Sequence, residues 1–230
     1  MRVHILSILE AMWHRAFVGR YKKAFTDRRF LLAAPAAILV FTTSVVVSFY
    51  AIAYATAQAS NSVTDIILSN TRIFDVDGLM VGGTILLIAF LALLVLHYPL
   101  RIPFTLYTLT LFFFIRSGFT IMTHVASYPL PTGSGLEISN SVGRFFFGFG
   151  GDLFFSAHTA VPFLMALVFW PYPALRYSLL ILSAFFGVVV LMGHLHYTID
   201  VLSAFFIAYG IYHLALWLFP RERVLFLDSE

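Results

Sequence analysis

Residues 30–55 contain no charged side chain. A helix of that length is enough to cross the ~30 Å hydrocarbon core of a bilayer. Five further apolar stretches follow, at roughly 78–96, 104–123, 153–170, 177–192 and 197–219. Only 11% of the 230 residues are charged, against about 25% in a soluble domain. Most of the chain must therefore sit in lipid, where a segment satisfies its own backbone hydrogen bonds by coiling into a helix. The pattern predicts an all-α polytopic membrane protein whose residues 30–219 form a six-helix transmembrane bundle.

The flanking segments carry the charge. Residues 1–29 hold seven Lys and Arg, with Ile5, Leu9, Trp13, Phe17, Tyr21 and Phe25 recurring at helical spacing. They read as an amphipathic helix, either lying on the anionic cytoplasmic leaflet or packed on its own bundle. They lack the short apolar core and cleavage pattern of a secretory signal. Residues 220–230 read as a cytoplasmic tail. Arg101, Arg176, Arg221 and Arg223 fall on the same side as the basic N-terminus, against Arg72, Arg116 and Arg144 on the other. The positive-inside rule then places both termini in the cytoplasm. Cys is absent, which excludes disulfides and thiolate chemistry. No nucleic-acid signature is present.

Two polar stretches fall at the exoplasmic ends of spans in that topology. The first is Gly150-Gly151-Asp152-Leu153-Phe154-Phe155-Ser156-Ala157-His158-Thr159, and the second is Gly193-His194-Leu195-His196-Tyr197-Thr198-Ile199-Asp200. His196 and Asp200 are four residues apart, a spacing that shares one helix face. A carboxylate there can hold the proton on one imidazole nitrogen and leave the other as a base, nucleophile or ligand. His158 alone reads as an interfacial side chain, a reading that weakens once a second histidine with an aspartate sits on the same face. Arg116 lies near the end of the third span, with Thr120, Thr123 and His124 as helical neighbours. It can clamp a phosphate, snorkel to the headgroups, or pair with Asp152 or Asp200. The His and Asp spacings do not match a zinc site, and Ser156 stands in no nucleophile-elbow pattern. His4, His14, His97 and His213 read as structural. A proton- or metal-linked transporter could use the same histidines, but it would favour ionisable groups at mid-membrane, and these cluster at one end.

The segments 151–159 and 196–201 resemble the two catalytic motifs of the sphingomyelin synthase family, within the lipid phosphate phosphatase superfamily. Arg116-Ser117-Gly118-Phe119-Thr120, with Thr123 and Pro129-Leu130-Pro131, resembles a third motif less closely. Ala157 stands where that family usually has Gly, and 72–77 replaces its Pro-Leu-Pro-Asp motif. The resemblance implies a six-span bundle with an exoplasmic, periplasmic or lumenal site that needs no metal or other cofactor. His196 would be the nucleophile at phosphorus, Asp200 its orienting carboxylate and His158 the proton shuttle. Arg116, Thr120, Asp152 and Arg144 would bind substrate. The substrates implied are a phospholipid and a lipid alcohol such as ceramide or diacylglycerol, or water. A lipid phosphate phosphatase is the alternative enzyme, although Val190 occupies the position, six before His196, where that family usually has Arg.

Overall fold

The computed structural model describes residues 17–129 and 153–228, and among these the regular structure is helical throughout, with no strand. Five helices are long and apolar enough to span a bilayer, which makes the chain an all-α integral membrane protein.

Helix α1 covers 17–26 and stops at Asp27. The Asp27 carboxylate accepts the Arg29 N–H at 2.8 Å and so caps the next helix, α2 (Arg28–Ala57). This break gives α1 its own direction. Its Arg20 and Tyr21 side chains donate to the carbonyls of His97 and Leu96, and Ala24 is buried against Phe30, Ala34, Leu100 and Leu225. Residues 17–26 thus pack on the bundle, and residues 1–16 of the basic segment lie outside the described residues.

Helix α2 runs unbroken through Pro35. It buries Ala34, Ala37, Ser44, Ser48, Ala51 and Ala55, small residues that recur on one helix face. That seam lets α2 lie close along α4 (Ile102–Met122); without a hydrophobic drive between helices in lipid, such close packing holds them together. Helix α3 (Asp77–His97) buries only Met80 and Leu87, so most of its surface is left for lipid. Helices α6 (Pro173–Met192) and α7 (Thr198–Leu218) complete the five.

The fourth stretch departs from expectation. The helix there, α5, covers only Ala157–Val168, about 18 Å at 1.5 Å per residue, against the 153–170 read from hydropathy. Residues 153–156 stay out of it because Phe155 adopts a positive φ of 28° and the Ser156 N–H donates to the carbonyl of Asp200 on α7, at 3.0 Å. Short as it is, α5 is the centre of the bundle. It packs on α6 and α7 and buries Ala160, Leu164, Met165 and Ala166 completely.

The 220–230 segment is also not a plain tail. Helix α8 (Pro220–Leu227) turns Leu225 and Phe226 into the protein, each 2% exposed. Phe226 packs its ring against those of Phe104 and Phe169. Beside it lies Arg101, read from sequence as a loop charge but only 2% exposed. Its guanidinium stacks over the rings of Tyr98 at 3.9 Å and Tyr172 at 4.2 Å, and donates to the Tyr172 hydroxyl at 2.6 Å. Two connections and a helix therefore close on one cation: the α3–α4 turn, the α5–α6 turn and α8. Cation–π contacts this well shielded contribute about 2 kcal/mol or more. Arg101→Ala should lower stability by about 2–4 kcal/mol, and Arg101→Lys should recover only part, because an ammonium cannot stack as a plane. Thermal unfolding in detergent measures both; an Ala variant that melts with the wild type would refute the role.

Candidate active site

Helix α6 ends at Met192, and the chain must turn back within five residues to start α7. Gly193 permits the turn, since a Cβ there would overlap the side chain of Val76. His194 follows with φ 51°, a left-handed conformation usually left to Gly or Asn. The Leu195 N–H then reaches back to the Val190 carbonyl at 2.9 Å. His196 lies in the connection before the helix, Tyr197 is the N-cap, and α7 begins at Thr198. The pair His196 and Asp200 therefore does not sit on one continuous helix face. It meets across the helix start.

Asp200 is the third residue of α7, and its Oδ2 accepts the Tyr197 N–H at 3.1 Å. The same oxygen lies 3.4 Å from His196 Nδ1. That distance is within ion-pair range, and no hydrogen bond is closed at Nδ1. Both residues are buried, at 5% and 4% exposed. The carboxylate is thus held by a cap before it acts on the histidine.

The second motif comes to the same place. The Ser156 N–H bond to Asp200 O joins the starts of α5 and α7. At Gly187 of α6, a Cβ would sit 3.2 Å from Val201 and 3.5 Å from Thr159, so the three helices converge just inside this end. His158 is the second residue of α5, half-buried, with its ring 6.1 Å from that of Phe186. Two helix N-termini here adjoin: that of α7 is already taken up by the carboxylates of Asp65 and Asp200, while that of α5 has no acidic residue in its first turn and keeps the positive dipole end that suits an anion. Arg116 is 2% exposed, which excludes snorkelling. Its Nε donates to the Phe155 carbonyl at 3.2 Å, placing the cation where α5 begins. Thr120, one turn on, is buried with its hydroxyl. Asp152 and Arg144 lie outside the described residues.

Three further residues hold this end together: Tyr197 and His194 stand in the second polar stretch, whereas no pattern in the sequence marks Asp65. Tyr197 OH donates to the Ala126 carbonyl at 2.8 Å and accepts the Val63 N–H at 3.2 Å. Asp65, from the α2–α3 connection, accepts from Thr198 and from two N–H groups of its own loop. His194 Nε2 lies 3.2 Å from the Thr71 hydroxyl, with Tyr128 edge-on to its ring. Burial raises the Asp65 pKa, but the hydrogen bonds from Leu68, Thr198 and Ile67 outweigh it and the net shift is downward. Burial pulls the His194 pKa below its ordinary value, only partly offset by the Asp65 charge. Among the described residues no group of three or more His, Cys, Asp and Glu gathers as a metal site.

Residues 150–216 match the family model described as PAP2 superfamily C-terminal. The matched segment holds both histidine motifs. It supports an enzyme of the lipid phosphatase and phosphotransferase superfamily, without singling out the sphingomyelin synthase family within it. No curated protein and no solved structure matches the chain.

The His194 environment predicts a pH effect. Its folded pKa lies below the unfolded 6.5, so between the two values the unfolded state binds more protons and stability rises with pH. The stabilisation is fully present above 6.5 and is lost as pH falls through the folded value. Asp65 acts lower, with a contribution present above 3.8 and lost as pH falls through its depressed value. Thermal stability measured from pH 7.5 to 5 should therefore fall more steeply for the wild type than for His194→Asn, which tolerates the left-handed backbone. Equal slopes would show that His194 is not held neutral.

Proposed function

We propose that this protein transfers the phospho-headgroup of a phospholipid to a lipid alcohol, or to water, through a phosphohistidine at His196. The observation that carries the reading is the position of Asp200: its Oδ2, fixed by the Tyr197 N–H, lies beside His196 Nδ1. A proton held on Nδ1 leaves the Nε2 lone pair for attack.

In the first step His196 Nε2 bonds to phosphorus as the P–O bond to the lipid alkoxide breaks. His158 donates the proton that the leaving oxygen takes up. The carboxylate of Asp200 balances the imidazolium charge that develops. In the second step His158 takes the proton of the acceptor hydroxyl, the acceptor oxygen bonds to phosphorus, and the P–N bond breaks. Arg116 and the start of α5 would neutralise charge on the non-bridging oxygens, with Thr120, Asp152 and Arg144 completing the substrate contacts. The loop-charge bias supports an exoplasmic position for this chemistry. Splitting one displacement at a hindered anionic centre into two is what a covalent nucleophile contributes.

Purified protein incubated with a panel of labelled phospholipids, with and without ceramide or diacylglycerol, tests the reading by separation of products. Headgroup transfer or release should appear, and Asp200→Asn should keep the fold but lose about 10²- to 10⁴-fold in turnover. Wild-type turnover no greater than that of His196→Ala on every lipid would sink the proposal. The two histidines should also fail differently. Acid-labile, base-stable label should accumulate on His158→Ala, where His196 can still attack when the leaving group is a p-nitrophenolate, and none should appear on His196→Ala. Label on the second variant but not the first would reverse the roles.

A further inference from the structure

An α-helix begins with four N–H groups that have no partner inside it. The usual remedy is a short polar side chain at the N-cap. Helix α7 has tyrosine there, and the Tyr197 hydroxyl is engaged elsewhere, by Ala126 and Val63. Asp200 satisfies the N–H of Tyr197 itself, one residue outside the helix. The first N–H inside it, that of Thr198, is taken by Asp65, a residue 133 positions earlier in the chain.

The grip has two points. Asp65 Oδ2 accepts the Thr198 N–H at 2.6 Å, and Oδ1 accepts the Thr198 hydroxyl at 2.8 Å. Together they fix where Thr198 lies and how it is turned. The carboxylate is itself immobilised, since Oδ1 also accepts the N–H groups of Ile67 at 2.9 Å and Leu68 at 3.0 Å. It is 8% exposed and places a negative charge at the positive end of α7. Thr198 stands midway between His196 and Asp200. His196 lies before the helix and has no helical restraint, so whatever holds Tyr197 and Thr198 sets the distance between imidazole and carboxylate. That distance is 3.4 Å without a closed hydrogen bond, and a displacement of about 1 Å would separate the pair.

We propose that Asp65 is a positioning residue for the reaction: it caps α7 from the α2–α3 connection and thereby holds His196 against Asp200. The proposal rests on the reading of His196 as the reacting group for its catalytic half, and on geometry alone for its structural half.

Two measurements on the full-length protein in detergent keep the halves apart. The first is kinetic. Asp65→Ala should lower kcat about 10- to 100-fold, the penalty of misplacing a reacting group, with KM changed less than about twofold because no substrate contact is lost. Asp65→Asn, which keeps the shape but turns a donor toward the Thr198 N–H, should fall between Asp65→Ala and the wild type. Thr198→Val should lose part of the effect and add nothing to Asp65→Ala. Asp27→Ala removes the cap of α2 far along the chain from this site; it should cost stability and leave kcat unchanged. The second measurement needs no turnover. The rate at which diethyl pyrocarbonate modifies His196, read by mass spectrometry, should rise about tenfold in Asp65→Ala, with the rate at half-buried His97, at the far end of α3, unchanged as the internal reference. Should the wild type turn over no lipid, the functional reading fails and the modification rate still decides whether Asp65 holds this end. Wild-type kcat in Asp65→Ala with an unchanged rate at His196 would overturn the proposal. So would a loss of kcat reproduced by Asp27→Ala at equal loss of stability. If Asp65→Ala does not fold, the same two measurements on Asp65→Asn and Thr198→Val decide the matter by the same outcomes.

Discussion

Asp200 joins three structures that would otherwise be separate. Its side chain takes the N–H of Tyr197 and lies against His196, and its backbone carbonyl takes the N–H of Ser156. The first contact starts α7, the second forms the dyad, and the third brings the other histidine motif to it. A carboxyl group buried in a membrane protein is costly unless it is hydrogen-bonded. Here the donor comes from the backbone of the N-cap residue.

The local conformations around this joint are strained. Phe155 and His194 are the two non-glycine residues with positive φ among those described, and each stands just before a motif histidine. Each costs about 1–2 kcal/mol. The fully buried packing of Phe155, Phe112 and Leu164, and the bonds of Tyr197 and Asp65, offset that cost. Strain held by surrounding structure at a cluster of ionisable groups is characteristic of sites built for reaction rather than for stability.

Two buried arginines of this membrane protein show how differently one residue type can be used. Arg101 is enclosed by aromatic rings and a tyrosine hydroxyl at one end of the bundle, and what it does there is join two turns and the last helix. Arg116 sits at the other end, bonded to the carbonyl that precedes α5. Only the second lies at the end of the bundle that holds the two histidine motifs.

By itself the sequence determined what hydropathy, composition and short spacing control. Long uncharged runs required membrane helices, because no other backbone form available to such runs is satisfied in lipid. The four-residue interval between His196 and Asp200 marked the two as neighbours, but the helical face it suggested is absent: His196 lies before the helix, and the contacts of Tyr197 and Thr198 bring imidazole and carboxylate together. The motif around His158 and the superfamily of the segment 150–216 were likewise readable. The tertiary structure decided everything that depends on partners far apart in the chain. It started α5 at Ala157 rather than 153, because Ser156 bonds to α7. It drew Arg101 inward, folded 220–227 onto the bundle, and brought Asp65 to Thr198 and Tyr197 to Val63 and Ala126. A hydrogen bond between residues far apart in the chain imposes no periodicity on either segment. A single polar side chain in a loop reads the same in sequence whether it faces water or caps a helix.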